Sequence, residues 1–127
     1  MTEYGITADL EDRVAVVIGG TTGIGRAIAE AIADAGADVV PTSRTESSVE
    51  DAATAVGTDL VCPTDVTERG DVRHLFERTV DEFGAIDVLV NSAGIVQEGK
   101  RVGEIGDDEW EAIVDTNLYG VFVASQL

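Results

Sequence analysis

Three glycines, Gly19, Gly23 and Gly25, carry the first chemical suggestion in this chain. They fall in Gly19-Gly20-Thr21-Thr22-Gly23-Ile24-Gly25, directly behind the apolar run Val14-Ala15-Val16-Val17-Ile18. After them Ile28, Ala31, Ile32 and Ala35 recur at helical spacing. The stretch reads as a buried strand, a tight turn and an amphipathic helix. Glycine lets the backbone turn sharply and approach a ligand with no Cβ in the way. The start of a helix presents free N–H groups and partial positive charge to an anion. A pyrophosphate site is the simplest account; an ordinary strand-to-helix turn is the plain alternative. Three more small or polar clusters follow: Ser43-Arg44, Pro63-Thr64-Asp65-Val66 and Asn91-Ser92-Ala93-Gly94.

The elements that would position these clusters alternate. Strands are expected at 14–18, 38–42, 59–62 and 86–90. Helices are expected at 25–35, 46–55, from Thr67 as a cap to Gly84, and from about 107 to 127. Pro41 is awkward inside a central strand and belongs where no ladder bond is needed. In the third helix Val72, Leu75, Phe76, Thr79, Val80 and Phe83 form one apolar face. In the last helix Trp110, Ile113, Val114, Asn117, Leu118, Val121 and Phe122 do the same. Residues 1–12 and 95–106 read as polar segments. Strand–helix alternation argues for a parallel sheet with right-handed crossovers and helices on both faces. Ligands of such sheets bind beyond the carboxyl ends of the strands. All four clusters occupy that edge, which one ligand explains better than chance.

Composition narrows the function. The 127 residues suit a single domain able to bury roughly two-thirds of its unfolded surface. Asp plus Glu number 25 against 8 Lys plus Arg, for a net charge of −17. Nonspecific binding to nucleic acid or to an anionic membrane is disfavoured. The apolar periodicity argues against disorder. A hydrated carboxylate surface is implied, similar to that of proteins from salt-loving organisms. Self-repulsion at this charge is relieved by screening. The melting temperature should therefore rise steeply from low to molar KCl; indifference to salt would contradict this. Cys62 and His74 are each the only residue of their type, so neither a disulfide nor a cysteine-based zinc site can form within the chain. Cys62 beside Leu60 and Val61 reads as a core thiol, and His74 falls off its helix's apolar face. The first residues lack the features of a signal peptide, no apolar run is long enough to span a bilayer, and a cytoplasmic location is expected.

From about Asp12 to Leu127 the sequence resembles the classical short-chain dehydrogenases/reductases. The turn 19–25 matches that family's Gly-xxx-Gly-x-Gly pattern. Asn91-Ser92-Ala93-Gly94 matches its Asn-Asn-Ala-Gly, with Ser92 for the second Asn. Asp65-Val66 matches its Asp-Val, and Asn117 its helix asparagine. Ile18 stands where the family usually has Thr. The implied fold is a Rossmann-like, doubly wound α/β sheet, truncated to about four strands in the order 3-2-1-4. The implied cofactor site comprises Gly19, Thr21, Thr22, Gly23, Ile24, Gly25, Ser43, Arg44, Asp65, Val66, Asn91, Ala93 and Gly94. Asp65 would accept from the adenine amine, while Asn91 and Gly94 would border the nicotinamide ribose. Asn117 is the one residue matched to the family's catalytic set, where it helps hold a water in a proton relay; a structural asparagine is the alternative.

An NAD enzyme normally carries Asp or Glu after the second strand, on the ribose 2′-OH. Here Ser43 and Arg44 suit a 2′-phosphate, with Arg26 able to add charge, so NADP(H) is expected over NAD(H). The family's Ser and Tyr-xxx-Lys do not occur in the chain: Tyr119 is followed four residues on by Val123. The expectation is the cofactor-binding half of a carbonyl/alcohol oxidoreductase, itself catalytically incomplete. A non-catalytic nucleotide-binding module or an interaction fragment is the alternative. The fourth strand would then present an open apolar edge, available to a second copy or a complementing chain.

Overall fold

The computed structural model describes residues 9–95 and 99–127; residues 1–8, most of the expected polar lead-in, and 96–98 of the long loop lie outside them. The described chain forms β1 (Val14–Ile18), α1 (Gly23–Asp34), β2 (Asp38–Thr42), α2 (Glu46–Val56), α3 (Arg69–Phe83), β3 (Val88–Asn91), α4 (Asp107–Val114) and α5 (Gly120–Gln126). A short 3-10 turn at Val102–Glu104 precedes α4, and a π-helical segment, Asp115–Tyr119, joins α4 to α5.

The sheet is parallel, in the order β2-β1-β3. β1 is central because all five of its residues are apolar and buried. Period-2 alternation sends Val16 and Ile18 to one face, with Val40 against Val72 and Leu75 of α3 and Val123 and Ala124 of α5. Ala15 and Val17 point to the other, with Val39 against Ala29 of α1 and Val56 of α2. Helices thus cover both faces. Each fully buried valine or leucine contributes about 1.5–3 kcal/mol. Asp87 fixes the register of β3 against β1: its N–H donates to the Val14 carbonyl (2.8 Å), and its Oδ2 accepts from the Val14 N–H (2.8 Å).

The structure corrects the sequence reading in four places. Residues 59–62 are not a strand. Asp38 N–H and Thr42 C=O both bond toward β1, so by alternation Pro41 faces the outer edge, where it has no N–H to offer the missing neighbour. Second, Thr67 does not cap α3; it bonds to Asp65, and Glu68 is the N-cap residue, without a side-chain cap bond. Third, Val80 is exposed at 44 % although it continues the apolar face of α3. Fourth, the last helix is interrupted by the π segment and buries a different face. Trp110 (61 %), Leu118 (68 %) and Phe122 (55 %) are exposed, while Gly120, Val123 and Ala124 are buried. Small residues win because α5 comes very close to the core: a Cβ on Gly120 would lie 2.7 Å from Val66 Cγ2. The outer edge of β3 pairs with no other strand among the described residues.

Candidate functional site

The carboxyl ends of all three strands open on one side of the sheet, and a cleft of about 430 Å³ lies there. Its floor is the glycine bend after β1. Gly19 and Gly20 N–H both donate to the Thr42 carbonyl (2.9 and 3.2 Å), so neither amide is free for a ligand. α1 begins at Gly23, and Arg26 N–H bonds to the Thr22 carbonyl (3.2 Å). The N–H groups of Gly23, Ile24 and Gly25 precede that first helical bond and are the ones left for an anion. Gly19 lies against the turn after β3, where a Cβ would come within 2.5 Å of Ala93 N. Its φ of +78° is also left-handed. The two turns therefore touch, and Ser92 N–H donating to the Ile18 carbonyl (2.8 Å) ties them.

Thr21, Thr22, Ile24, Gly25, Ser43 and Arg44 line the cleft with Gly19. Asp65, Val66, Ala93 and Gly94 line it as well. Ile24, 78 % exposed, stands on the rim. Gly23, Asn91 and Asn117 are not in the lining. The Asn91 carboxamide turns to Ser125 Oγ on α5 (3.4 Å). The Asn117 carboxamide accepts from Ile95 N–H and donates to the Ile95 carbonyl, both at 2.8 Å. This satisfies the amide that looked out of place on an apolar face and fastens the loop after Gly94.

One Asp65 oxygen, Oδ1, accepts from Thr67 N–H (2.9 Å) and Thr67 Oγ1 (2.6 Å), a local turn that holds the carboxylate at the cleft. Arg26 does not add charge to the cleft. Its guanidinium donates to Asp51 Oδ2 (2.7 Å) and to Glu30 Oε1 (3.2 Å), and Asp51 first, then Glu30, raise it further above its ordinary pKa. Among the described residues, Arg44 is the one cationic side chain in the lining.

Ile18, Thr45, Thr64, Ser92, Ile95 and Thr116 also line the cleft and were missed as site residues. Thr64 and Ser92 sat inside clusters the sequence did mark; Thr116 carried no signal.

The short chain dehydrogenase family profile matches residues 13–127. An uncharacterised oxidoreductase of Staphylococcus saprophyticus is 41 % identical over 120 residues, covering 88 % of this chain and 50 % of the relative. The 3-oxoacyl-[acyl-carrier-protein] reductase of Escherichia coli is 37 % identical over 121 residues, covering 93 % and 48 %. Among solved structures, a 3-ketoacyl-(acyl-carrier-protein) reductase from Brucella melitensis complexed with NADH superposes with a TM-score of 0.88 at 31 % identity, over 93 % of this chain and 49 % of that one. The chain spans about half the length of the relatives it matches.

Proposed function

We propose that this chain, which belongs to the short chain dehydrogenase family, is the dinucleotide-holding domain of an oxidoreductase that takes NADP(H) in preference to NAD(H). One observation carries the preference: the turn after β2 brings a guanidinium and a hydroxyl, Arg44 and Ser43, to the cleft, and no carboxylate. The donor set fits the group. The amides at the start of α1 suit a pyrophosphate. Arg44 suits a 2′-phosphate bidentately. Asp65 Oδ2 takes no part in the Thr67 turn and suits an adenine amine. The glycine turn 91–94 and Asn117, through Ile95, shape the other end.

When bound, the dinucleotide supplies hydride for interconverting a carbonyl and an alcohol. The chain's own residues bind and orient it. Asn117 acts as a positioning residue, because both ends of its amide are taken by the Ile95 backbone. The similarity to 3-oxoacyl reductases supports a 3-oxoacyl or related ketone as the substrate class of the complete catalyst. The chain lacks a Tyr-xxx-Lys pair, which supports binding without turnover by these 127 residues alone. The open edge of β3 and the exposed apolar side chains of α4 and α5 suit a second copy or a complementing chain.

Fluorescence titration tests the preference. NADPH should bind roughly tenfold tighter than NADH, a difference of about 1.4 kcal/mol. Equal affinities, or tighter NADH, would overturn it.

A further inference from the structure

The expected third strand is absent, yet residues 60–66 stay beside β2 and deliver Asp65 and Val66 to the cleft. Two buried hydroxyls replace the missing ladder. Thr42 Oγ1 donates to the Cys62 carbonyl at 2.6 Å, and Thr64 Oγ1 donates to the same carbonyl at 2.9 Å. Both side chains are buried, at 0 % and 2 % exposure. Thr64 N–H adds a bond to the Ser43 carbonyl (2.8 Å). The other side of Thr42 works differently: its backbone carbonyl accepts from Gly19 and Gly20. Thr42 is thus joined to the glycine bend through its main chain and to the Asp65 arm through its side chain. It also immediately precedes Ser43 and Arg44.

Resting on the proposed function, we infer that Thr42 and Thr64 are positioning residues that set the spacing between the Arg44 arm and the Asp65 arm, and so govern the grip on the 2′-phosphorylated adenosine end alone. The mechanism is steric as well as polar. A hydrogen bond of 2.6 Å brings oxygen to oxygen, whereas a methyl group meets a carbonyl oxygen at about 3.3–3.6 Å. Valine at position 42 therefore pushes the 60–66 segment outward, and valine at both positions leaves the Cys62 carbonyl without either hydroxyl donor. The glycine bend keeps its bonds, because those run to the Thr42 main chain.

Calorimetry on the full chain, with adenosine 2′,5′-bisphosphate and inorganic pyrophosphate as probes, tests this. In the double variant T42V/T64V the bisphosphate should bind about tenfold more weakly, the size of one lost buried hydrogen bond, while pyrophosphate stays within about twofold of wild type. The T42S variant keeps the hydroxyl that reaches the Cys62 carbonyl and should bind both probes as wild type does. T42V alone gives a smaller loss of the same selectivity, and decides the matter if the double variant does not fold. Equal weakening of both probes, or of neither, overturns the inference. Wild-type protein that binds no bisphosphate at all instead sinks the proposed function, and this inference with it.

Discussion

Gly25→Ala should collapse the glycine bend and cost the chain much of its folded stability. The Cβ it adds would sit 1.9 Å from the Gly19 carbonyl oxygen, 2.8 Å from the Gly19 carbonyl carbon and 3.0 Å from Ser92 Oγ. The first two are backbone atoms and cannot rotate away. Gly19 itself is pinned, through its N–H to Thr42 and by its contact with the Ser92–Ala93 turn. A clash held on two sides belongs with the severe core substitutions, of about 4 kcal/mol or more. In a chain of this size that lowers the melting temperature by more than ~10 °C. Gly23→Ala is the control. Its backbone is left-handed (φ +57°), but a Cβ there would meet nothing within 4 Å. That change should cost only about 1–2 kcal/mol. Thermal melts of the two variants side by side check the contrast, and equal losses would show that the bend is not packed as described.

Arg44→Ala should separate the two dinucleotides. Arg44 is exposed and is the cationic member of the cleft lining, whereas Arg26 is engaged by Asp51 and Glu30. A charge-assisted hydrogen bond of this kind is worth about 1.5–3 kcal/mol, so NADP⁺ should weaken by roughly ten- to a hundredfold. NAD⁺, which lacks the 2′-phosphate, should change by less than about twofold. The comparison has to be made at one salt concentration. The net charge of −17 repels both anionic ligands at long range, and KCl screens that repulsion as well as the local contact. Parallel losses for the two dinucleotides would remove Arg44 from the recognition of the 2′-phosphate.

How much of this was legible in the sequence follows from where the information sits. β1, the bend and α1 were readable because strand, glycines and helical spacing are contiguous from Val14 to Ala35. The edge that holds Ser43 and Ala93 followed from strand–helix alternation, whereas Asp65 reaches it on a segment that is not a strand. Residues 59–62 misled because Leu60, Val61 and Cys62 look like a buried strand. Pro41, about twenty positions earlier, faces that edge without an N–H and so removes one of the ladder bonds such a strand would make. The last helix misled for a related reason. Trp110, Leu118 and Phe122 are the larger apolar groups, and periodicity assigns the larger groups to the core. Packing chose Gly120 and Ala124 instead, because only small residues let α5 close on Val66. The partners of Asn117 and Arg26 were beyond reach for a third reason. Ile95 and Asp51 are each more than twenty residues away, and a single sequence does not record such pairings.

The proposed cofactor site depends on an anion held by the amides at the start of α1, beside Arg44. Amide chemical shifts of the isotopically labelled chain, followed as NADP⁺ is added, test that directly. The largest changes should fall on Gly23, Ile24 and Gly25, with Arg44 and Asp65 next. Changes centred elsewhere, such as on α3 or the β3 edge, would contradict it.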